Sequence, residues 1–189
     1  MERSVYQVII GVDIDNVLLS YSDLFQHIVQ IEQGTTLIPH THWGFQDWGL
    51  TDQDFQRLHL RIIHEPIFLD AKMAAAATID ILRDKGHTIR IVTQRANIPF
   101  YTYLDKKAAI GVTIENLHCA GIEYHDLCFV EDKTSVTFDI LIEDAPHHIS
   151  SCNKAKRNVL IMDYPYNRHC TGPRVKNWSE IHDYFKETR

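Results

Sequence analysis

The chain has 189 residues, 44% hydrophobic and 23% charged, with nineteen Lys and Arg against twenty-five Asp and Glu for a formal charge of −6. That is enough for one compact domain with a sizeable core, and the composition is that of a globular chain, not a disordered one. The acidic balance without a basic run argues against nucleic acid polymer or an anionic membrane as partner, and no apolar stretch reaches the roughly 20 residues of a membrane span.

Met1 to Tyr6 is polar, and the apolar run behind it is too short for a signal peptide and lacks a small-residue cleavage site. Val5 to Val12 (VYQVIIGV) is a β-branched run of strand length, apolar on both faces as in a central strand of a parallel sheet. It ends in Asp13-Ile14-Asp15-Asn16. Leu18 to Lys72 then offers two helical patterns, Ser22 to Gln33 and Thr51 to His64, around an aromatic, turn-rich segment, Thr41 to Gly49. Met73 to Lys85 is alanine-rich and closes on Gly86, a helix-stop signal. Strand-like runs recur at Thr88 to Thr93, Leu127 to Val130, Asp139 to Ile142 and Asn158 to Met162. Helix-length segments lie at Asn97 to Gly121, with Gly111 a candidate break, at Ala145 to Arg157 and at Ser179 to Lys186.

Strands alternating with helices at these spacings predict an α/β fold, a Rossmann-like three-layer sandwich with a mainly parallel sheet, whose ligands bind beyond the carboxyl ends of the strands. Residues 18–72 are expected to form a small helical cap inserted after the first strand, leaving 1–17 and 73–189 as the core domain. Cys119, Cys128, Cys152 and Cys170 show no CxxC spacing and read as reduced thiols, from which a cytoplasmic location is expected.

Chemistry concentrates at the strand ends. Asp13 and Asp15 place two carboxylates where a buried strand stops, an arrangement that repels itself unless a cation is bound. The same pair also fits an Asx-type turn facing water. Glu143-Asp144 follows another apolar strand (DILIED), where Asp144 before Ala145-Pro146 also fits a helix N-cap. Acid pairs at two strand ends can converge on a hard cation such as Mg²⁺. Lys133 is either a solvated surface lysine or a counter-charge for phosphate and carboxylate. Thr93, followed by Gln94, offers a hydroxyl and backbone N–H groups to phosphate oxygens. His40 and His42, and the pair His147-His148, lack a third ligand at zinc spacing. No dinucleotide, P-loop or calcium-loop glycine pattern is present.

In order, an apolar strand with DxDxV, a strand ending in Thr, a lone Lys and a strand with an acid pair resemble the haloacid dehalogenase (HAD) superfamily of aspartate-nucleophile phosphatases, from Val12 to Asp144. Glu131 to Pro146 (EDKTSVTFDILIEDAP) and Tyr164 to Arg168 (YPYNR) more narrowly resemble the 5′(3′)-deoxyribonucleotidase family. Ala145 departs from that family, which carries a basic residue after the acid pair.

The resemblance implies that Asp13 attacks phosphorus to form an aspartyl-phosphate and that Asp15 protonates the leaving alcohol and then activates water. It implies Thr93 on the phosphoryl oxygens and Lys133 as counter-charge. Mg²⁺ would be held by the Asp13 carboxylate, the Asp15 backbone carbonyl and the Asp144 carboxylate, with Glu143 acting through metal-bound water. Trp43, Phe45 and Trp48 crowd the inserted segment; they either stack on a nucleobase, at about 1–3 kcal/mol each, or form the cap's own core. The expected activity is a Mg²⁺-dependent phosphomonoesterase, foremost a 5′-nucleotidase acting on (deoxy)ribonucleoside monophosphates. A phosphatase for another small phosphomonoester such as a sugar phosphate, and a non-catalytic phosphate-ligand binding protein, are the alternatives, and a homo-oligomer stays open.

Overall fold

Six strands pair in parallel in the order β3-β2-β1-β4-β5-β6 in a computed structural model that describes residues 7–34, 36–37, 40–65 and 67–187. The strands are β1 (Ile9–Val12), β2 (Thr88–Thr93), β3 (Asp126–Phe129), β4 (Ile140–Glu143), β5 (Val159–Met162) and β6 (Arg174–Val175). The chain runs outward from β1 to β3 and returns to β4 on the other side of β1. That reversal opens a crevice between the carboxyl ends of β1 and β4, the place where open α/β sheets bind ligands.

The helices are α1 (Tyr21–Gln33), α2 (Asp52–His64), α3 (Ala75–Asp84), α4 (Tyr103–Cys119), α5 (Pro146–Lys154) and α6 (Trp178–Glu187). β1 is central and dry: Ile10 and Val12 are fully buried. Gly11 between them leaves room for β4, since a Cβ there would come within 3.0 Å of the Leu141 side chain. One apolar cluster joins Ile10, Val12 and Ile142 to Ile79 and Leu82 of α3 and to Trp178 and Ile181 of α6. A second, with Leu141, Ile161, Ile149 and Cys152, packs α5 on the sheet. The α/β expectation holds, with a fully parallel sheet.

Differences from the sequence reading are local. The first two residues of the expected Val5 to Val12 strand lie outside the described residues. α4 runs unbroken through Gly111: a capping box between Thr102 and Asp105 and the buried Ala109, Thr113, Asn116 and Leu117 offset the ~1 kcal/mol that a helical glycine costs. β6 has no periodic signal in the sequence because it is a two-residue edge strand.

Between β1 and α3 lie α1, a 3₁₀ turn at Gln46–Trp48 and α2. The two ends of this segment are stitched together: the Ser20 N–H donates to the Asp70 carbonyl at 2.9 Å and the Lys72 N–H to the Leu18 carbonyl at 2.7 Å. Its apolar residues Phe25, Val29, Leu58 and Ile62 continue the cluster that begins at β1. Among the described residues no helix is long and apolar enough to cross a membrane, and the four cysteines are free thiols.

Candidate active site

Strand geometry delivers Asp13 to the rim. β1 ends at Val12, the Asp13 N–H extends the ladder by donating to the Ile142 carbonyl at 3.0 Å, and the Asp13 side chain turns into a buried pocket. β4 ends one strand away at Glu143, with Asp144 next. Lys133 enters from the 3₁₀ turn Lys133–Ser135, which Asp132 caps by accepting from the Thr134 N–H at 2.9 Å. The Lys133 ammonium is buried, donates to Asp13, and donates to Glu143 at 2.6 Å. Four sequence-expected residues from three separate stretches thus meet at one point.

The acids are not equivalent. One Glu143 oxygen accepts from the N–H groups of Asp144 (3.0 Å) and Ala145 (2.9 Å), while the other faces Lys133. Burial acts most strongly, to raise its pKa, but Lys133, His148 and the Ala145 amide together outweigh it and hold Glu143 below its ordinary value. Asp13 is pushed up to about 7, by burial first and then by Glu143 and Asp15, against the pull of Lys133. Asp144 is raised well above the carboxylate range by burial and by Glu143 and Asp13. The Lys133 ammonium is stabilised by the same two acids against its burial.

Carboxylate oxygens of Asp13, Glu143 and Asp144 all lie within 4.8 Å of one another. Three buried acids share the one ammonium, and their all-oxygen donor set suits a hard divalent cation. With Glu143 saturated by two amides and Lys133, the oxygens left for a cation are one on Asp13 and one on Asp144, neither with a partner among the described residues. The residues fit the group.

Asp144 is aimed by partners the sequence did not disclose. Its side chain does not cap α5, whose N-cap is Ala145 without a side-chain bond. Instead one oxygen accepts from the Tyr166 hydroxyl and from the Asn16 amide at 3.3 Å, and the Asn167 amide donates to the Asp144 carbonyl at 2.8 Å. This gives the Tyr164 to Arg168 string its physical content. Tyr164 stacks on Tyr166 at 5.2 Å and donates to the Asn16 carbonyl at 2.8 Å. Asn16 itself adopts φ 60, a left-handed conformation that Asn tolerates, and its side-chain oxygen accepts from the Ser22 N–H.

Asp15 stands apart from the acid cluster. The Arg95 guanidinium holds it bidentately, at 2.5 and 3.0 Å. Thr93 is buried at the end of β2, where its hydroxyl accepts from the Arg95 N–H at 3.2 Å. Thr93 and Gln94 border a cavity of about 160 Å³ together with Asp13, Lys133 and Asp144.

The far wall of that cavity is aromatic: Phe45, Phe55, Tyr21 and His59. Phe45 is buried and stacks on Phe25 at 4.6 Å. Trp43 borders the cavity while half exposed, resting against His147 and Tyr166. Trp48 does not border it: it is buried against Phe25 and Phe45 in the core of the inserted segment. Sequence reasoning missed Asn16, Arg95, Tyr166, Tyr21 and His59 as members of the site. Arg95, two residues after a strand-end Thr, was the most findable, because a basic residue there has the Asp13-Asp15 pair within reach.

A family model described as 5′ nucleotidase, deoxy (pyrimidine), cytosolic type C protein matches residues 7–188. A Chlorobaculum tepidum protein, provisionally named a 5′(3′)-deoxyribonucleotidase, is 30% identical over 95% of this chain and 90% of its own length. Among solved structures, a provisionally named phosphoglycolate phosphatase of Lactobacillus delbrueckii subsp. bulgaricus superposes with TM-score 0.61 at 12% identity, covering 94% of this chain and 97% of that one. A haloacid dehalogenase-like hydrolase of Streptococcus pneumoniae gives TM-score 0.56 at 12% identity, covering 95% and 98%. With the acid cluster, the lysine and the sheet-end crevice already in place, and with the fold of a haloacid dehalogenase-like hydrolase, this chain belongs to the 5′ nucleotidase, deoxy (pyrimidine), cytosolic type C family and is a phosphoric monoester hydrolase.

Proposed function

We propose that the protein is a Mg²⁺-dependent 5′-nucleotidase that dephosphorylates (deoxy)ribonucleoside monophosphates through an aspartyl-phosphate. The observation that carries the reading is the meeting of Asp13, Lys133 and Asp144 at the β1–β4 crevice, opposite an aromatic wall in the same cavity. The family description, with its deoxynucleotides, supports the substrate class.

In this mechanism an Asp13 oxygen bonds to phosphorus as the ester P–O bond breaks, and Asp15, protonated on an oxygen that has turned away from Arg95, gives that proton to the departing 5′ oxygen. Water then attacks the aspartyl-phosphate, Asp15 takes the water proton, and phosphate leaves with Asp13 restored. Lys133 offsets the charge of Asp13 as the dianion approaches. Thr93 and Gln94 hold the phosphoryl oxygens, and Arg95 fixes where the Asp15 carboxylate sits. Asp13 and Asp144 would hold Mg²⁺, with the Asp15 carbonyl, while Glu143 orients what surrounds it. The cation supplies positive charge and Lewis acidity against the transferring phosphoryl group.

Residues 18–72 serve as the cap in this reading. α1, α2 and the turn between them bring Tyr21, Trp43, Phe45, Phe55 and His59 over the phosphate site, so the cap selects the organic part of the substrate. The test is Asp13→Asn. Turnover of thymidine 5′-monophosphate with Mg²⁺ should fall by about 10⁴-fold or more with the melting temperature preserved, and undiminished hydrolysis would remove Asp13 from the chemistry.

A further inference from the structure

His59 on α2 is bonded at both ring nitrogens. Its Nδ1 is 2.5 Å from the Tyr21 hydroxyl of α1, and its Nε2 is 2.6 Å from the Tyr101 hydroxyl, which lies just before α4. The Phe55 and Tyr101 rings both lie near-parallel to the imidazole, each with its centroid 5.6 Å from that of His59. Burial pushes the His59 pKa down to about 4 and raises both phenols, so all three groups are neutral at pH 7.

The three neutral groups carry one proton more than their two hydrogen bonds use. A neutral imidazole carries one N–H and one lone pair, and each phenol carries one O–H. Three protons serve two hydrogen bonds. Either Tyr21 donates to Nδ1 and Tyr101 is left with a free O–H, or Tyr101 donates to Nε2, Nδ1–H donates to Tyr21, and Tyr21 keeps its own proton to give away. Both phenols are buried, and neither has another hydrogen-bond partner among the described residues, although the Asp15 carboxylate acts on both through charge. A buried donor without an acceptor is unfavourable, and only one of the two can meet an acceptor arriving from outside: Tyr21 and His59 border the cavity, Tyr101 does not. Ser22, whose buried hydroxyl has no hydrogen-bond partner among the described residues, borders the same cavity.

We infer that Tyr21, with its proton assigned by the Tyr101–His59 chain, is a specificity-determining donor to an acceptor atom on the base of the nucleotide. This rests on the nucleotidase reading and sharpens it: the cap wall does not merely stack on a flat base but requires a carbonyl oxygen or ring nitrogen facing Tyr21. Tyr101 is a positioning residue that acts through His59. Sites built around a polar partner reject analogues lacking it far more strongly than apolar pockets reject a missing methylene.

The experiment compares thymidine 5′-monophosphate with 2-deoxyribose 5-phosphate, which keeps the phosphate and the leaving oxygen but has no base. Wild type, Tyr21→Phe and Tyr101→Phe are assayed with Mg²⁺, with melting temperatures recorded alongside. In Tyr21→Phe the kcat/KM preference for the nucleotide should collapse by about tenfold to about hundredfold, through KM. Tyr101→Phe should lower the same preference by a smaller factor although its side chain is outside the cavity lining. Equal losses on both substrates, or a lowered melting temperature with the preference intact, would assign the chain to phosphate handling or to structure and overturn the inference. A wild type that turns over the abasic ester as well as the nucleotide overturns it alone. A wild type that hydrolyses neither overturns the proposed function and this inference with it.

Discussion

At the sheet rim, Asp13, Glu143, Asp144 and Lys133 crowd four ionisable groups into a buried space whose acids outnumber its ammonium. Across the same cavity, Tyr21, Phe45, Phe55 and His59 form a wall whose polar atoms are neutral and whose contacts are ring against ring. The rim stands on rigid elements, the ends of β1 and β4; the wall stands on α1, α2 and the turn between them. The difference teaches where each kind of selectivity resides. On the proposed function, charge in low dielectric acts on the phosphoryl group, common to every substrate, so rim substitutions should lower kcat on all of them. Shape and neutral hydrogen bonds act on the organic part, so wall substitutions should change KM for one substrate and not another.

After the Asp13→Asn loss, the next largest effect expected is at Lys133. Lys133→Met removes the cation shared by Asp13 and Glu143 and leaves both buried without it. kcat should fall by about 10²- to 10³-fold, equally on thymidine 5′-monophosphate and 2-deoxyribose 5-phosphate. Removing one partner from a buried ionic group should also lower stability by about 3–5 kcal/mol in urea titration. A loss confined to the nucleotide would break the division between rim and wall.

Tyr166→Phe tests the rim without touching its charges. It deletes the hydroxyl that holds Asp144, leaving the Asn16 amide as that oxygen's remaining partner. Titration calorimetry of Mg²⁺ on the purified variant should show affinity lower by about tenfold to hundredfold, the usual consequence of losing a hydrogen bond that orients a ligand. Unchanged affinity would show that the phenol serves packing against His40 and Tyr164 only.

These expectations also mark what was legible in the sequence. The rim was, because its chemistry sits in short strings directly after apolar strands: DxD after VIIGV, Glu-Asp after DILI, Lys in EDKTS. The parallel sheet was legible for the same reason, since β-branched runs bounded by helical patterns leave few topologies. What escaped is what pairs residues across long stretches of chain. Asn16 meets Tyr166 across 150 positions and Tyr21 meets His59 across 38, and no local periodicity encodes either contact. Trp48 and Trp43 show the limit from the other side: equivalent in composition, one is in the core and the other at the cavity mouth, because only the turn geometry at Gly44, Phe45 and Gly49, all at positive φ, decides which way each faces.

The smallest effect expected lies on the wall and concerns pH. In the folded chain His59 protonates only near pH 4, against an unfolded value of 6.5, so the unfolded state takes up its proton first as pH falls. Stability therefore carries no penalty from His59 above about pH 6.5, loses ground between 6.5 and 4, and loses no more below that, for a total of at most about 3 kcal/mol. His148, lowered to about 3 by burial, drives stability the same way, so a falling melting curve alone would not single out His59. The difference between wild type and His59→Gln does, because His148 is common to both. The melting temperature of the variant should fall less steeply from pH 6.5 to 4.5 than that of wild type. Parallel slopes would mean that folding does not depress the imidazole pKa, so that the ring takes its second proton by about pH 6.5; a doubly protonated ring puts both phenols in acceptor roles and frees both of their protons, dissolving the distinction between Tyr21 and Tyr101 on which the wall's selectivity depends.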